Sequence, residues 1–170
     1  MAAVRTVADG RERWLLSTTK PTGPSIADLT DAIDISCELA KSSSRISATA
    51  SDTVTDSRLC DEANAPAFGA SNYEGTAAPF WLLDPDDGTY STADNPAFEA
   101  LKEKGTVVWI TKVTGIKRGV TLAAGYMSSC YEVVTDTPQS PTGQGEYIKS
   151  IIPLSVTPVW DNELLTATSP

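Results

Sequence analysis

Three cysteines, Cys37, Cys60 and Cys130, and the lack of any histidine limit the chemistry open to this chain. Histidine is the commonest general base, the usual partner of a nucleophilic serine or cysteine, and the commonest metal ligand. Asp61 and Glu62 follow Cys60, and their negative charges would raise rather than lower the pKa of its thiol. The sequence therefore disfavours a catalytic triad and a reactive thiolate.

A cluster of acids at Asp84, Asp86 and Asp87, followed by Gly88, could offer carboxylate oxygens to a calcium ion. The twelve-residue loop with a terminal glutamate that is typical of such sites is missing. Asp-Pro-Asp-Asp-Gly is instead common turn chemistry, because Asp, Pro and Gly each favour a turn position. We interpret this cluster as a turn.

The segment PTGQGEY, residues 141–147, is rich in glycine but has neither the lysine of a phosphate-binding loop nor a strand-to-helix setting. Carboxylate pairs of the glycosidase type remain open, since any two of the 22 acids could meet in space. No motif favours catalysis. The sequence predicts a protein that is not an enzyme and that needs no cofactor or metal.

The composition fits one globular domain with an acidic surface. A chain of 170 residues can bury a single core, and its net charge is −9. Such a charge argues against ordinary duplex binding, in which lysine and arginine neutralise phosphates. The odd, widely spaced cysteines favour a reducing compartment, and neither a secretory signal nor a membrane-spanning apolar run is apparent. We expect synthesis and assembly in a cytoplasm.

The clearest local element is a short helix in NPAFEALKEKG, which begins at Asn95. Asn95 or Asp94 suits the N-cap, Pro96 suits the first helical position, and Gly105 supplies a stop. Phe98 and Leu101 fall on one face. A helix of about nine residues is not stable alone in water, so this face must dock on another element.

The segment TVVWITKVTG, which follows the helix, predicts a central strand, because both of its faces are apolar near its start. We expect Phe98, Leu101 and Trp109 to form the contact between the helix and the sheet. Further strands are predicted in residues 33–40, where apolar and polar residues alternate, and in three later segments, FGASNYEGTAAPFWLLD, LAAGYMSSCYEVVTD and YIKSIIPLSVTPVW.

The remaining segments are predicted to be irregular. Residues 1–25 resemble an extended N-terminal arm with an apolar anchor at Trp14 to Leu16, and residues 161–170 a loose tail. Residues 41–66 are rich in Ser, Thr, Ala and Asp and predict a long loop or flexible hairpin. The sum is six or seven strands and one flanking helix, which indicates a mainly β, antiparallel sandwich or barrel in a single domain, 1–170.

Surplus strands and free sheet edges favour self-association, because an unpaired edge recruits further strands. A repeated head-to-tail contact closes into a ring or extends into a filament. The residues therefore favour a self-assembling structural subunit.

Four segments carry a resemblance to a known family: SNYEG (71–75), NPAFEALKEKGT (95–106), AAGYMSSCYEVVTDTPQ (123–139) and EYIKSIIPL (146–154). In this order and spacing, the chain resembles the major tail tube proteins of long-tailed, siphovirus-type bacteriophages, especially those infecting actinobacteria. The resemblance covers about residues 20–160. It implies a virion protein whose six-membered rings join their sheets into one barrel and stack into a hollow tube for DNA delivery.

The resemblance also implies roles for particular segments. Residues 41–66 would be the stacking loop that reaches a neighbouring ring, with Arg45, Asp52, Asp56 and Arg58 as candidate contacts. The arm and the tail would bridge subunits. The implied partners are further copies of the chain, a tape-measure protein, tail tip or baseplate proteins, and a tail terminator. DNA would pass through a net negative lumen without specific binding.

Two other readings stay open from the sequence. One is a capsid decoration or tail terminator protein, which belongs to the same broad structural class. The other is a small carbohydrate-binding β-sandwich module, which would place tryptophans on a flat exposed face, whereas a tube subunit would bury most of them. The tryptophans that decide between these readings are Trp14, Trp81, Trp109 and Trp160.

Overall fold

The computed structural model describes residues 10–54, 67–140, 143 and 145–167. Their helices and strands, in chain order, are β1 (Glu12–Ser17), a 3-10 turn (Ala27–Leu29), β2 (Ile33–Asp34), β3 (Arg45–Ala48), β4 (Thr53–Val54), β5 (Ala67–Phe68), β6 (Tyr73–Ala77), α1 (Pro96–Leu101), β7 (Val107–Thr114), β8 (Met127–Thr135) and β9 (Ile152–Leu164). None of the helices in this part of the chain is long and apolar enough to cross a membrane.

Seven strands form one antiparallel sheet in the order β2-β1-β7-β8-β9-β6-β3, and β4 pairs with β5 in a separate ribbon. The strands β7 and β8 pair from Val107 opposite Val134 to Thr114 opposite Met127. At the end of β7, Gly115 turns the chain with a φ of 93°, a conformation that glycine adopts without strain. The predicted class, mainly β and antiparallel with one flanking helix, is confirmed.

The central strands bury side chains on both faces, as the run TVVWITKVTG predicts. Successive residues of a strand point to opposite faces, so Val108 and Ile110 lie on one face and Val113 on the other. Members of the larger cluster include Trp14, Leu16, Ile35, Ile46, Leu101, Val108, Ile110, Tyr131, Val133, Ile152 and Leu154. The smaller cluster contains Leu15, Leu29, Val113, Ile116 and Leu165.

The sheet curves so strongly that strands far apart in its order meet across the larger cluster. Lys112 of β7 donates from Nζ to the carbonyl oxygen of Ile46 on the edge strand β3, at 3.2 Å. The same ammonium lies 3.4 Å from a carboxylate oxygen of Glu12 and 5.3 Å from the centre of a Trp14 ring. A flat sheet would keep β7 and β3 far apart, so the contact shows a rolled, sandwich-like sheet.

Helix α1 packs on the larger cluster through Ala97 and Leu101, which are fully buried, with Phe98 packed against the same cluster. Of the three residues expected at the contact between helix and sheet, Phe98 and Leu101 therefore lie on this cluster, and Trp109 does not. Trp109 points to the opposite face of β7, because side chains alternate along a strand, and its indole donates to Glu132 on the neighbouring strand.

The ends of α1 differ from the expected capping. The Asn95 side chain makes no cap bond to the helix; it bridges the backbone of Leu82 and Ser91 instead. The first turn is capped by Glu38, whose carboxylate accepts a hydrogen bond from the Ala97 amide at 2.8 Å. The helix ends at Leu101, earlier than the Gly105 stop that the sequence predicts, although Gly105 does adopt a φ of 83°.

Two segments that were expected to be irregular contribute to the sheet instead. Residues 12–17, in the expected arm, form β1 between β2 and β7, because Trp14, Leu15 and Leu16 supply apolar side chains to both faces. In the expected tail, β9 continues through Leu164, and Leu165 is buried. The first nine residues and residues 168–170 lie outside the described part of the chain.

Two predicted strands are shorter than the alternation suggested. In residues 33–40, only Ile33–Asp34 forms a strand, and Cys37 is exposed. In FGASNYEGTAAPFWLLD, the regular strands are β6 and the end of β5, while Phe80 and Leu83 make only isolated bridges. The aromatic run at residues 80–83 therefore lies on the surface beside the sheet rather than within it.

Candidate assembly surfaces

The long hairpin from β3 to β6 is the first candidate surface. Residues 45–48 pair with 73–76, and beyond them β4 pairs with β5, with Thr53 opposite Phe68. Residues 41–66 are therefore not a featureless loop in their described part; they form one arm of an extended β-hairpin. Residues 55–66, between β4 and β5, lie outside the described residues.

Two of the four candidate stacking residues lie in the described part of this hairpin. Arg45 makes a 3.2 Å ion pair with Glu74 across the β3–β6 pair. Asp52 accepts a hydrogen bond from the Asn72 side chain at 3.0 Å. Both side chains hold the two arms of the hairpin together. The other two, Asp56 and Arg58, lie outside the described residues, so stacking contacts of all four stay a prediction.

A surface groove beside the base of the hairpin is the second candidate. It is lined by Phe80, Trp81, Leu82, Leu83, Glu146, Tyr147 and Ile148, with a volume of about 590 Å³. An adjoining depression of about 620 Å³ shares Phe80 and Tyr147 and reaches Ala40, Lys41 and Ser42. The Phe80 and Tyr147 rings meet edge to face at 5.8 Å. We call these two depressions together the aromatic groove.

Side chains beneath the aromatic groove fix its shape. Trp81 contacts Phe98 of α1 at 5.3 Å between ring centres and donates from its indole to Ser150. Tyr90 contacts both rings and donates from its hydroxyl to Glu99. Burial, and then this bond to a carboxylate, raise the pKa of Tyr90 well above its ordinary value, so Tyr90 stays a neutral donor.

The sequence did not predict the aromatic groove. Its two sides come from residues 80–83 and 146–148, and only the tertiary structure brings them together. The available signal was the concentration of large apolar residues in APFWLLD and EYIKSII. In the sequence, the same residues favour strands with buried apolar side chains.

The free edges of the seven-stranded sheet are the third candidate surface. Among the described strands, β2 pairs only with β1, and β3 pairs within this sheet only with β6. An edge strand presents unpaired backbone donors and acceptors to any further strand. The two edges differ in length and sequence, so an edge-to-edge contact between copies would join unlike surfaces.

The described residues do not assemble a recognisable catalytic or metal site. Burial raises the pKa of the Cys130 thiol to about 11, which keeps it protonated. Residues 84–88 form a turn, as predicted, in which Asp84 Oδ1 accepts hydrogen bonds from the amides of Asp86 and Asp87. Within the described residues, no group of three or more Cys, Asp or Glu is placed to hold a metal ion.

The four tryptophans do not form the flat exposed face that a carbohydrate-binding module would need. Trp14 and Trp160 are each only 6 % exposed, and Trp81 and Trp109 are half-buried. Each of the four indole nitrogens donates to a partner within the chain. This arrangement is typical of core and structural tryptophans rather than of sugar-stacking platforms.

The comparison with known families decides between the remaining readings. A family model described as phage tail tube protein matches residues 1–169. The chain belongs to the phage tail tube protein family. No curated protein matches this tail tube protein. The family is a structural one and not a class of enzyme, so the chain is a structural component of a phage tail tube and hence of the virion.

Proposed function

We propose that this tail tube protein is the repeating subunit of a siphovirus-type tail of the kind found in phages of actinobacteria. Its copies assemble into hexameric rings, and the rings stack into a hollow conduit for DNA delivery. The observation that carries the proposal is the family match over residues 1–169. The sheet and the long hairpin supply surfaces of the kind that such an assembly needs.

Ring formation uses the free sheet edges. The edge strand β3 of one copy lies beside the β2 edge of the next, so that the seven-stranded sheets continue from subunit to subunit. Because the two edges are unlike, the contact is head-to-tail. The ring closes when a whole number of subunit rotations adds up to a full turn. Closure removes the exposed edges, which would otherwise promote aggregation.

Ring stacking uses the extended hairpin. Its strands β4 and β5 pair outside the main sheet, so they are available to a copy in the neighbouring ring. The Arg45–Glu74 ion pair and the Asp52–Asn72 hydrogen bond stiffen the hairpin, which reduces the entropy lost when it is ordered between rings.

The subunit has further partners in the complete tail. A tape-measure protein occupies the tube during assembly and sets its length, a tip or baseplate complex starts the tube, and a terminator ends it. Assembly takes place in the host cytoplasm, where the thiols of Cys37 and Cys130, neither of them in a disulfide, stay reduced.

Electron microscopy tests the proposal. Negative-stain images of the purified chain at rising concentration should show rings and then hollow tubes of constant diameter. Gold labelling of virions that carry a tagged copy of the chain should decorate the whole length of the tail. Label confined to the capsid would support a decoration protein, and label confined to one end of the tail a terminator; either result contradicts the proposal.

A further inference from the structure

We propose that Phe68 on the hairpin of one subunit inserts into the aromatic groove of a second copy of the chain in the adjacent ring. This inference rests on the proposed function, because it names the two surfaces that join one ring to the next. The hairpin supplies the projecting side chain, and the aromatic groove supplies its receptor.

Phe68 is the most exposed large apolar side chain in the described part of the molecule, at 84 %. It lies on β5 opposite Thr53, and the strand leads directly into backbone hydrogen bonds between Gly69, Ala70 and Asp52. The backbone around Phe68 is therefore paired, while its ring finds no cover within the described chain. Burying this ring in a second molecule removes a large apolar surface from water, which favours association.

The aromatic groove offers a matching surface. Tyr147 is 82 % exposed, and Leu82 and Ile148 are exposed by 49 % and 43 %. Phe80 and Trp81 form the half-buried floor. Aromatic rings pack well edge to face, as Phe80 and Tyr147 already do, so a further ring can extend this arrangement.

The positions of the two surfaces dictate a head-to-tail contact. The strand β6 joins them: residues 67–72 precede it on the side of Phe68, and residues 78–83 follow it on the side of the groove. Residues 40–42, which also line the groove, precede β3 at the same end. Phe68 thus lies on the part of the hairpin that extends away from the main sheet, and the groove lies at the base of the hairpin. The strand β6 between them has five residues, Tyr73–Ala77, and spans roughly 16 Å.

Phe68 therefore cannot enter the aromatic groove of its own molecule. A projecting apolar side chain and a receptor at opposite ends of one strand join each copy to the next in the strand direction, and this contact leaves a free surface at each end. Because the proposed ring contact already uses the β2 and β3 edges, we assign this second head-to-tail contact to stacking along the tube.

The charges of the two segments are complementary. Between residues 49 and 70 the sequence carries four acidic side chains, Asp52, Asp56, Asp61 and Glu62, against one arginine, Arg58. The lining of the aromatic groove includes Lys41, Lys149 and Glu146, and because Lys149 Nζ lies 3.6 Å from a carboxylate oxygen of Glu146, the lining carries a net charge of only +1. The net negative charge of the segment 49–70 and the net positive charge of the groove lining favour approach of the hairpin to the groove and disfavour contact between two hairpins.

Cross-linking between two variants tests the contact directly. In a background with Cys37→Ser and Cys60→Ser, one variant carries Phe68→Cys and a second carries Tyr147→Cys. After the two are assembled together, a short bismaleimide should give cross-linked dimers, whereas either variant alone should stay monomeric on a denaturing gel. Val120→Cys, at an exposed site in another loop, replaces Tyr147→Cys in the control mixture and should give no dimer.

Charge variants supply a second readout. Phe68→Asp and Tyr147→Asp should each leave folding unchanged and reduce tube length at least tenfold, leaving separate rings, whereas Val120→Asp should form tubes of normal length. Rings of Phe68→Asp keep an intact groove, and rings of Tyr147→Asp keep an intact hairpin. Mixing the two variants should therefore give pairs of rings, and nothing longer than a pair.

The possible failures are distinguishable. If the wild-type chain forms tubes but the cysteine mixture gives no dimer, the assignment of Phe68 to the aromatic groove is overturned and the proposed function stands. If Phe68→Asp and Tyr147→Asp both form tubes of normal length, the same conclusion follows. If the wild-type chain forms neither rings nor tubes and labels no phage tail, the proposed function falls, and this inference falls with it.

Discussion

At the scale of single residues, Gly75 on β6 allows the close approach of β9. A Cβ atom at this position would lie 2.5 Å from a methyl carbon of Val156 and 3.1 Å from the Cβ of Leu154. Close packing, and not the backbone conformation, therefore leaves no room for a side chain at this position. We expect Gly75→Ala to lower the free energy of unfolding by about 1–3 kcal/mol, as overpacking of a core does. Chemical denaturation measures this change.

Gly143→Ala is the matched control for Gly75→Ala. A Cβ at position 143 would have its nearest neighbour at 3.9 Å, and the residue does not need a positive φ. This variant should leave stability unchanged within about 0.5 kcal/mol. Equal effects of the two substitutions would show that β6 and β9 are not packed as closely as described.

Asn95 illustrates what residue types alone can predict. Its position before Pro96 correctly indicated the start of α1. Its side chain, however, is fully buried and holds Leu82 and Ser91 by three hydrogen bonds. A residue type and its neighbours in sequence carry local preferences, but a bond to a segment 13 residues away depends on tertiary structure.

At the scale of elements, α1 should be required for folding of the subunit. Phe98 packs against the larger core cluster and contacts the rings of Trp81 and Tyr90. Phe98→Asp removes this apolar contact and places a carboxylate in a half-buried site, so we expect a loss of about 3 kcal/mol or more. Thermal and chemical unfolding of the monomer measure the loss.

Ala93→Asp adds the same charge just before α1, at an exposed position, and should leave the unfolding midpoint nearly unchanged. Phe98→Asp should therefore impair folding before it impairs ring stacking. A Phe98→Asp variant that folds with normal stability and fails only to stack would show that α1 belongs to an assembly surface rather than to the core.

The elements differ in how far the sequence predicted them. The strands β7, β8 and β9 are long, and each contains enough apolar residues to be recognised alone. The strand β1 is not predictable in this way, because its three apolar residues, Trp14 to Leu16, are consecutive, follow charged residues and offer no clear alternation. Its place in the sheet depends on β7, where Thr111 lies opposite Leu15 and Trp109 opposite Ser17. Pairing between segments so far apart in the chain leaves no local signal in the sequence.

At the scale of the whole molecule, the class of fold was predictable and the sheet order was not. Short strands, frequent turns and one helix indicate an antiparallel β protein. The order β2-β1-β7-β8-β9-β6-β3 places residues 12–17 beside residues 107–114, and the Lys112 contact with Ile46 depends on the roll of that sheet. The aromatic groove arises only once this order is established.

The charge of the whole molecule bears on the proposed conduit. The chain has 22 acidic and 13 basic side chains, so copies arranged around an axis have few cations to offer to a polyanion. A wall that attracted phosphates would bind DNA through counterion release and slow its passage, whereas an acidic wall repels DNA and does not bind it. We expect a net negative lumen in the assembled tube and no retention of duplex DNA by purified tubes in a sedimentation assay, even at low salt. A structure of the tube with a lumen rich in lysine, or co-sedimentation of DNA that weakens steeply as salt rises, would contradict this expectation, since both require a basic surface along the lumen.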